Sequence, residues 1–196
     1  MESRRLDFSQ VLLILNTLIV FAIFCGQLYP YISDNRIFVT AFDGSKYKVR
    51  NTEHRQQTAD TLARMNGKVN KLIENVLRDE RDPYYSQVIV RLKDRYRRET
   101  LSEGIIDPNF SSFTVNKGEE IVLCMRTRDA EDRIYDENLL FYVLLHELAH
   151  IACITNDHTA EFNATFEYLM KQAEKYTDFV RSSAKVHYCG VDVPGM

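Results

Sequence analysis

Two histidines four residues apart, with a glutamate directly after the first, are the residues of this sequence best suited to chemistry: His146, Glu147 and His150. Because positions four apart lie one above the other on a helix, both imidazoles can bind one metal ion. A catalytic zinc site has three protein ligands and an open position for water, whose pKa the ion lowers to about 7. A carboxylate beside that position can take a proton from the water. The spacing therefore predicts metal-dependent hydrolysis, with Glu147 as the general base.

The third metal ligand is predicted to be His158, eight residues past His150. A polar turn over residues 154–157 precedes a predicted helix that begins near Thr159. That helix would carry His158 at its start, directed back at the first two histidines. Glu161 is the alternative ligand, because carboxylates also bind zinc. If Glu161 is not a ligand, it can orient one of the histidines.

Two residues near the C-terminus are further candidates for the site. Tyr188 could donate a hydrogen bond to the oxyanion of a tetrahedral intermediate, and Cys189 could bind the metal as an inhibitory thiolate. Both lie in a predicted terminal strand over residues 187–191, where packing in the core is the ordinary role for such side chains.

The segment around the two histidines is predicted to be a buried helix. Seven apolar or aromatic residues precede His146, and Ile151, Ala152 and Cys153 follow His150. A helix that is apolar nearly all round lies inside its domain. Histidines and a glutamate are costly to bury unless something pairs with them, and one metal ion can pair with all three. We therefore prefer a metal site to the alternative of ordinary core histidines.

Composition bounds the size of the domain and the class of partner. The 196 residues, 45% of them hydrophobic, can form one compact domain plus an appendage. A net charge of −3 does not favour nucleic acid or an anionic membrane surface as the main partner. The four cysteines, which are widely spaced and form no C-x-x-C pair, argue against a disulfide framework and for a reducing compartment. They are Cys25, Cys124, Cys153 and Cys189.

An uncharged apolar stretch over residues 11–29 predicts an N-terminal membrane anchor. Its length suffices to cross a hydrocarbon core of about 30 Å. A cleaved signal peptide is the alternative, but Phe24-Cys25-Gly26-Gln27 lacks the small-x-small pattern of a cleavage site. We expect a single-pass protein with the lipid bilayer as a partner and its catalytic domain on the cytoplasmic side. The predicted boundaries are 1–30 for the tail and anchor and 31–196 for the catalytic domain.

The remaining elements place the predicted metal helix in an α+β domain with a small antiparallel sheet. A hairpin over residues 37–49, a helix over 53–78 and a second hairpin over 112–125 precede that helix, for which Asp136 is the predicted N-cap. An edge strand over residues 121–126 would hold an extended peptide over the ion. Between the helix over 53–78 and the second hairpin, residues 88–98 predict a helix with a basic face, which is either solvated or binds phosphates.

The motif HELAH with His158, the preceding NKGEEIVLCMRTRD and the later HTAEFNATFEYL resemble the WLM group of zinc metallopeptidases, relatives of the SprT-like proteases. The resemblance covers roughly residues 112–190, and His-Glu-x-x-His alone is shared by many unrelated families. It implies a compact zincin-like domain, zinc bound by His146, His150 and His158, and Glu147 as the catalytic residue. With the predicted anchor, the chain is similar to membrane-anchored forms from large DNA viruses and protists.

The resemblance leaves three functions to compare. The preferred one is a membrane-anchored zinc metalloendopeptidase that acts on protein or peptide substrates. Some relatives remove proteins crosslinked to DNA, but here only the basic helix over residues 88–98 points to nucleic acid. The third is an inactive, zinc-stabilised scaffold, in which Cys153 or Cys189 would close the fourth position of the metal.

Overall fold

The computed structural model of this chain describes residues 7–105 and 111–193. The chain divides into two units, Met1–Asn35 and Arg36–Met196. The first unit contains helix α1, Phe8–Ser33. Asp7 caps this helix, because its carboxylate accepts a hydrogen bond from the backbone N–H of Ser9 while its own N–H donates to Gln10.

The membrane anchor predicted over residues 11–29 is wrong. Within the described part of the chain, no helix is both long enough and apolar enough to cross a bilayer. Helix α1 has 26 residues, and the polar residues Asn16 and Thr17 lie within its apolar stretch. The single-pass topology and the lipid partner rested on that anchor and lose their support. The cytoplasmic placement rested on unpaired cysteines and loses its support too, because two of them, Cys124 and Cys189, form a disulfide.

The second unit contains a five-stranded sheet in the order β1-β2-β3-β5-β4. Its strands are β1 Arg36–Thr40, β2 Lys46–Arg50, β3 Leu101–Glu103, β4 Phe113–Val115 and β5 Glu120–Leu123. Strand β1 pairs with β2, and β4 with β5, in antiparallel fashion, as the two predicted hairpins require. Strand β3 pairs parallel to both β2 and β5, so the sheet is mixed rather than antiparallel. Long connections between these strands permit the parallel pairs.

The edge of the sheet next to the predicted metal helix differs from the expected one. Residues 121–126, predicted as a substrate-binding edge, begin inside β5, which pairs with β3 on one side and β4 on the other. The edge strand is β4 instead. Hydrophobic patterning identified the hairpin, but it carries no information on which of the two strands pairs with a third strand.

The second unit also contains four helices: α2 Arg55–Asp79, α3 Pro83–Arg95, α4 Glu137–Ala152 and α5 Ala160–Tyr176. Helix α4, the predicted metal helix, packs against α3, α5, β4 and β5. Asp136 caps it as predicted, accepting hydrogen bonds from the N–H groups of Asn138 and Leu139. A short hairpin of β6 Val186–Tyr188 and β7 Val191–Val193 follows α5 and forms a separate two-stranded sheet.

The turn between β4 and β5 needs its glycine. Asn116, Lys117 and Gly118 all have positive φ, with values of 44°, 57° and 113°. A Cβ atom on Gly118 would lie 3.1 Å from the carbonyl oxygen of Arg95 and 3.5 Å from the side chain of Ile151. Only glycine combines this backbone conformation with so close an approach. The turn therefore packs directly against the ends of α3 and α4.

A disulfide joins Cys124, just after β5, to Cys189 in the terminal hairpin. The wide spacing of the cysteines predicted no disulfide framework, and that prediction is wrong. The two cysteines are 65 residues apart and have no characteristic local spacing, yet their Cα atoms lie 6.4 Å apart in the fold. The bond also removes the argument for a reducing compartment. Cys153 is a free, buried thiol at the end of α4.

Candidate metal centre

Three histidines meet at one point beside α4. His146 and His150 lie one turn apart on α4, and the loop between α4 and α5 brings His158 against them. One nitrogen of each ring lies within 4.8 Å of the others. The Nε2 atoms of His146 and His158 are 3.0 Å apart. The structure thus brings together the three residues that the sequence analysis proposed as ligands.

The electrostatics of the cluster favour a bound cation. Burial, together with the neighbouring imidazoles, lowers the pKa of both His146 and His150 to about 4. Both rings are therefore neutral near pH 7, with a lone pair available for a metal. Nitrogen atoms bonded to one tetrahedral zinc ion lie about 3.3 Å apart. The 3.0 Å separation between His146 and His158 is close to that value, and the ligand nitrogens of all three rings lie within 4.8 Å of one another, so the cluster is compact enough for one metal ion.

Glu161 supports the loop that presents His158. Its carboxylate accepts hydrogen bonds from the N–H groups of Ile154 and Thr155, both at 3.0 Å, and from the Thr155 hydroxyl at 2.7 Å. Burial raises the pKa of Glu161, but these hydrogen bonds outweigh it and hold the pKa at about 2. Among the described residues, the cluster of candidate ligands contains the three histidines and not Glu161. Its carboxylate is bound to the loop instead.

Glu147 lies beside the histidines in a buried position, with 4% of its surface exposed. Burial raises the pKa of its carboxyl to about 7, and a hydrogen bond from Thr114 opposes that shift. The Thr114 hydroxyl donates to Glu147 Oε2 at 2.9 Å. A carboxyl group with such a pKa can both accept and release a proton near neutral pH. Sequence analysis did not identify Thr114, since it lies on β4 and its contact with Glu147 depends on tertiary structure.

The histidines and Glu147 face a cavity of about 940 Å³. Its walls come from β4 and the residues just before it, from α4 and α5 with the loop between them, and from β7. Because β4 is at the edge of the sheet, the cavity is bordered on one side by a strand that can pair with another chain.

Tyr188 and Cys189 are the two further candidates for the site. Tyr188 lines this cavity, whereas Cys189 is buried in the core. The Tyr188 hydroxyl donates to the carbonyl of Cys124 at 2.9 Å and forms a hydrogen bond with the Ser112 hydroxyl at 2.7 Å. It therefore joins the terminal hairpin to the start of β4. The sulfur of Cys189 is in the disulfide with Cys124, so it is not a thiolate.

Two arginines of the predicted basic helix bind the end of α4. Arg91 donates to the carbonyl of Ala152 at 2.7 Å, and Arg95 donates to the carbonyls of Ile151 and Cys153 at 2.7 and 3.1 Å. These carbonyls end a helix, where cations are favourable. The two guanidinium groups are thus neither simply solvated nor free to bind phosphates. They fix the point at which the chain leaves α4 towards His158.

Comparisons with known proteins identify a family and a fold that this chain resembles. Residues 46–185 match the WLM domain family model. Protein R325 of Acanthamoeba polyphaga mimivirus is 35% identical over 152 residues, which are 74% of this chain and 75% of that protein. Protein 136R of invertebrate iridescent virus 6 is 36% identical over 77 residues, covering 39% of this chain and 43% of that protein. The crystal structure of Wss1 from Saccharomyces cerevisiae aligns with a TM-score of 0.50 at 17% identity, over 65% of this chain and 85% of that one. The Wss1 alignment supports a shared α+β fold.

Proposed function

This chain belongs to the WLM domain family, and we propose that it is a zinc-dependent metalloendopeptidase that hydrolyses peptide bonds in protein substrates. The observation that carries the proposal is the convergence of three imidazoles beside a buried glutamate in an open cavity. His146, His150 and His158 would hold the ion. Zinc at such a site polarises a carbonyl and lowers the pKa of water.

Glu147 moves the proton in this proposal. It accepts a proton from the attacking water and then gives it to the leaving amine, which a carboxyl with a pKa near neutral can do. Thr114 holds one carboxylate oxygen at 2.9 Å, so the other oxygen is left for the proton transfer. The protein thereby fixes the orientation of the base before the substrate arrives.

The position of β4 at the edge of the sheet supports binding of an extended substrate backbone. Peptides commonly bind by adding a strand to an exposed sheet edge, with the backbone hydrogen bonds supplying affinity. The side chain of Thr114 reaches Glu147 from this strand, so a peptide paired with β4 would lie beside the glutamate. In this proposal the substrate pairs with β4 and not with the strand over residues 121–126 that was predicted from sequence.

Two alternatives have less support. In an inactive scaffold, a cysteine would close the fourth position of the metal. Neither Cys153 nor Cys189 joins the candidate ligand cluster among the described residues, and Cys189 is in a disulfide. A protease for DNA-bound proteins would use the basic helix, but Arg91 and Arg95 bind the end of α4 instead.

The direct test measures metal content and peptide hydrolysis together. The full chain loaded with Zn²⁺ is expected to cleave a fluorescence-quenched peptide pool, to lose activity with a chelator and to regain it when Zn²⁺ is added back. His158→Ala is expected to lose most of its zinc, because only two ligands remain. The matched control is His187→Ala, since His187 is an exposed histidine of β6 outside the cluster. Full zinc content in His158→Ala would contradict the assignment of the third ligand.

We expect Glu161→Ala to weaken zinc binding by about 10-fold to 100-fold, as the loss of groups that orient metal ligands commonly does. The loop carrying His158 would lose three hydrogen bonds. Competition with a zinc-binding dye measures the change. Glu167→Ala is the control, because Glu167 lies on the same helix but forms surface ion pairs with Lys171 and Arg181. Equal affinities for the two variants would show that Glu161 does not position the ligand.

A further inference from the structure

The two ends of the cavity differ in chemistry. At the end beside the first half of α4, the cavity is lined by the apolar and aromatic side chains of Tyr142, Val143, Phe166, Val191 and Val193. Asp192, between the two valines on β7, lines the cavity as well, and its carboxylate forms a hydrogen bond with His187 at 2.9 Å. The Tyr142 and Phe166 rings are 5.3 Å apart in an edge-to-face contact, and Phe166 lies 5.2 Å from His146. This group of five residues is here called the apolar end.

The opposite end of the cavity is polar. Its walls include Asn116, Lys117, Asn156 and Asp157. The ammonium group of Lys117 donates to the carbonyl of Thr155, which connects the β4–β5 turn to the loop before α5. A side chain bound here would meet hydrogen-bonding and charged groups rather than an apolar surface.

The direction of β4 determines which part of a substrate reaches each end. Strand β4 and helix α4 run the same way, because Thr114 contacts Glu147 and Gly118 lies next to Ile151 further along both. Tyr142 and Val143 of the apolar end precede His146 on α4. The apolar end therefore lies near the start of β4. Antiparallel pairing is the more stable arrangement for an added strand. A peptide paired in that direction runs with its C-terminal part towards the start of β4.

We propose that the apolar end binds a large apolar side chain, such as phenylalanine or leucine, of the residue that follows the scissile bond. This inference rests on the proposed function and adds a substrate class to it. One additional methylene group in an apolar pocket changes kcat/KM by about 10-fold or more. The chain is therefore expected to prefer phenylalanine over alanine at that position by at least about 10-fold.

Two peptide series test the preference. In one series only the residue after the scissile bond varies, and in the other only the residue before it, with kcat/KM measured for phenylalanine, leucine, alanine and aspartate. The preference for phenylalanine and leucine is expected in the first series alone. The same preference in the second series alone would overturn the proposed direction, and no preference in either would overturn the apolar site.

Variants at the wall connect the preference to the named residues. Val191 is 47% exposed, so Val191→Phe narrows the apolar end without disturbing the core. Val191→Phe is expected to remove most of the difference in kcat/KM between phenylalanine and alanine peptides. Tyr142→Ala should widen the site and raise kcat/KM for peptides with larger residues relative to that for alanine peptides. Val90→Phe is the matched control, because Val90 is 46% exposed on α3 and does not line the cavity. An unchanged preference in both cavity variants would overturn the proposal.

A binding measurement distinguishes failure of this inference from failure of the proposed function. Glu147→Gln is titrated with the same peptides, which it should bind without cleaving. Hydrolysis by the unmodified chain without a preference, and equal binding of all peptides, would refute the apolar site alone. A second outcome would refute the peptidase and support the apolar site. In that outcome no peptide is hydrolysed, but phenylalanine peptides bind at least about 10-fold more tightly than alanine peptides, and Val191→Phe removes that difference. Absence of both would refute both.

Discussion

Glu147→Gln is expected to lower kcat by at least about 100-fold while zinc content stays the same, because it removes the buried carboxylate beside the histidines that the proposal assigns to proton transfer. Glutamine has nearly the same size and can still accept the hydrogen bond from Thr114, so the local structure should persist. It cannot accept the proton of the attacking water. Initial rates on a quenched peptide and metal analysis of the same sample measure the two quantities.

The control for this variant is Glu131→Gln, which changes an exposed glutamate in the loop before α4. It should retain both zinc and activity. If Glu147→Gln cleaves the peptide at a rate within threefold of the unmodified chain, another group must act as the base. Loss of zinc from Glu147→Gln would instead show that the glutamate supports the metal centre structurally.

Arg126→Met is expected to lower the free energy of unfolding by about 3–5 kcal/mol, because it leaves a buried carboxylate without its partner. The side chain of Arg126 is fully buried, and its guanidinium donates to Glu103 at 2.8 Å and to the Thr58 hydroxyl at 2.6 Å. Glu103 is buried as well, and burial raises the pKa of its carboxyl despite Arg126. This pair joins β3 to the segment after β5 and to α2. Urea unfolding followed by circular dichroism measures the loss.

Two further variants isolate the buried charge as the cause. Arg133→Met removes an exposed arginine from surface ion pairs with Asp129 and Glu131, and should change stability by less than about 1 kcal/mol. Adding Glu103→Gln to Arg126→Met removes the unpaired carboxylate and should restore part of the lost stability. A double variant no more stable than Arg126→Met would indicate that lost packing, rather than the orphaned charge, causes the effect.

Sequence analysis was most successful where the signal is local. The spacing of His146, Glu147 and His150 specifies one turn of helix, and the helix with its Asp136 cap is confirmed. The first hairpin and the long helix α2 are also confirmed, because period-2 and period-3.6 patterns reflect their own secondary structure. The WLM resemblance is confirmed by the family match over residues 46–185.

The features missed from sequence depend on contacts between distant segments. Thr114 reaches Glu147 across 33 residues, and Cys124 reaches Cys189 across 65. Arg91 and Arg95 are on a helix whose basic face looked solvated, yet they bind carbonyls of α4 because the fold places the end of that helix beside them. The strand order of the sheet is likewise a property of the whole domain. The predicted anchor is wrong as well, since no helix in the described part of the chain is long and apolar enough to cross a membrane.

The disulfide between Cys124 and Cys189 affects how the protein should be handled in the laboratory. The disulfide joins the β6–β7 hairpin to the segment after β5, and this hairpin contributes Val191 and Val193 to the cavity wall. The hairpin is also held by the hydrogen bonds of the Tyr188 hydroxyl to Ser112 and Cys124. Material purified in dithiothreitol and material purified under air are therefore chemically different samples. Specificity measured on one should not be assumed for the other, and thiol titration should accompany every assay.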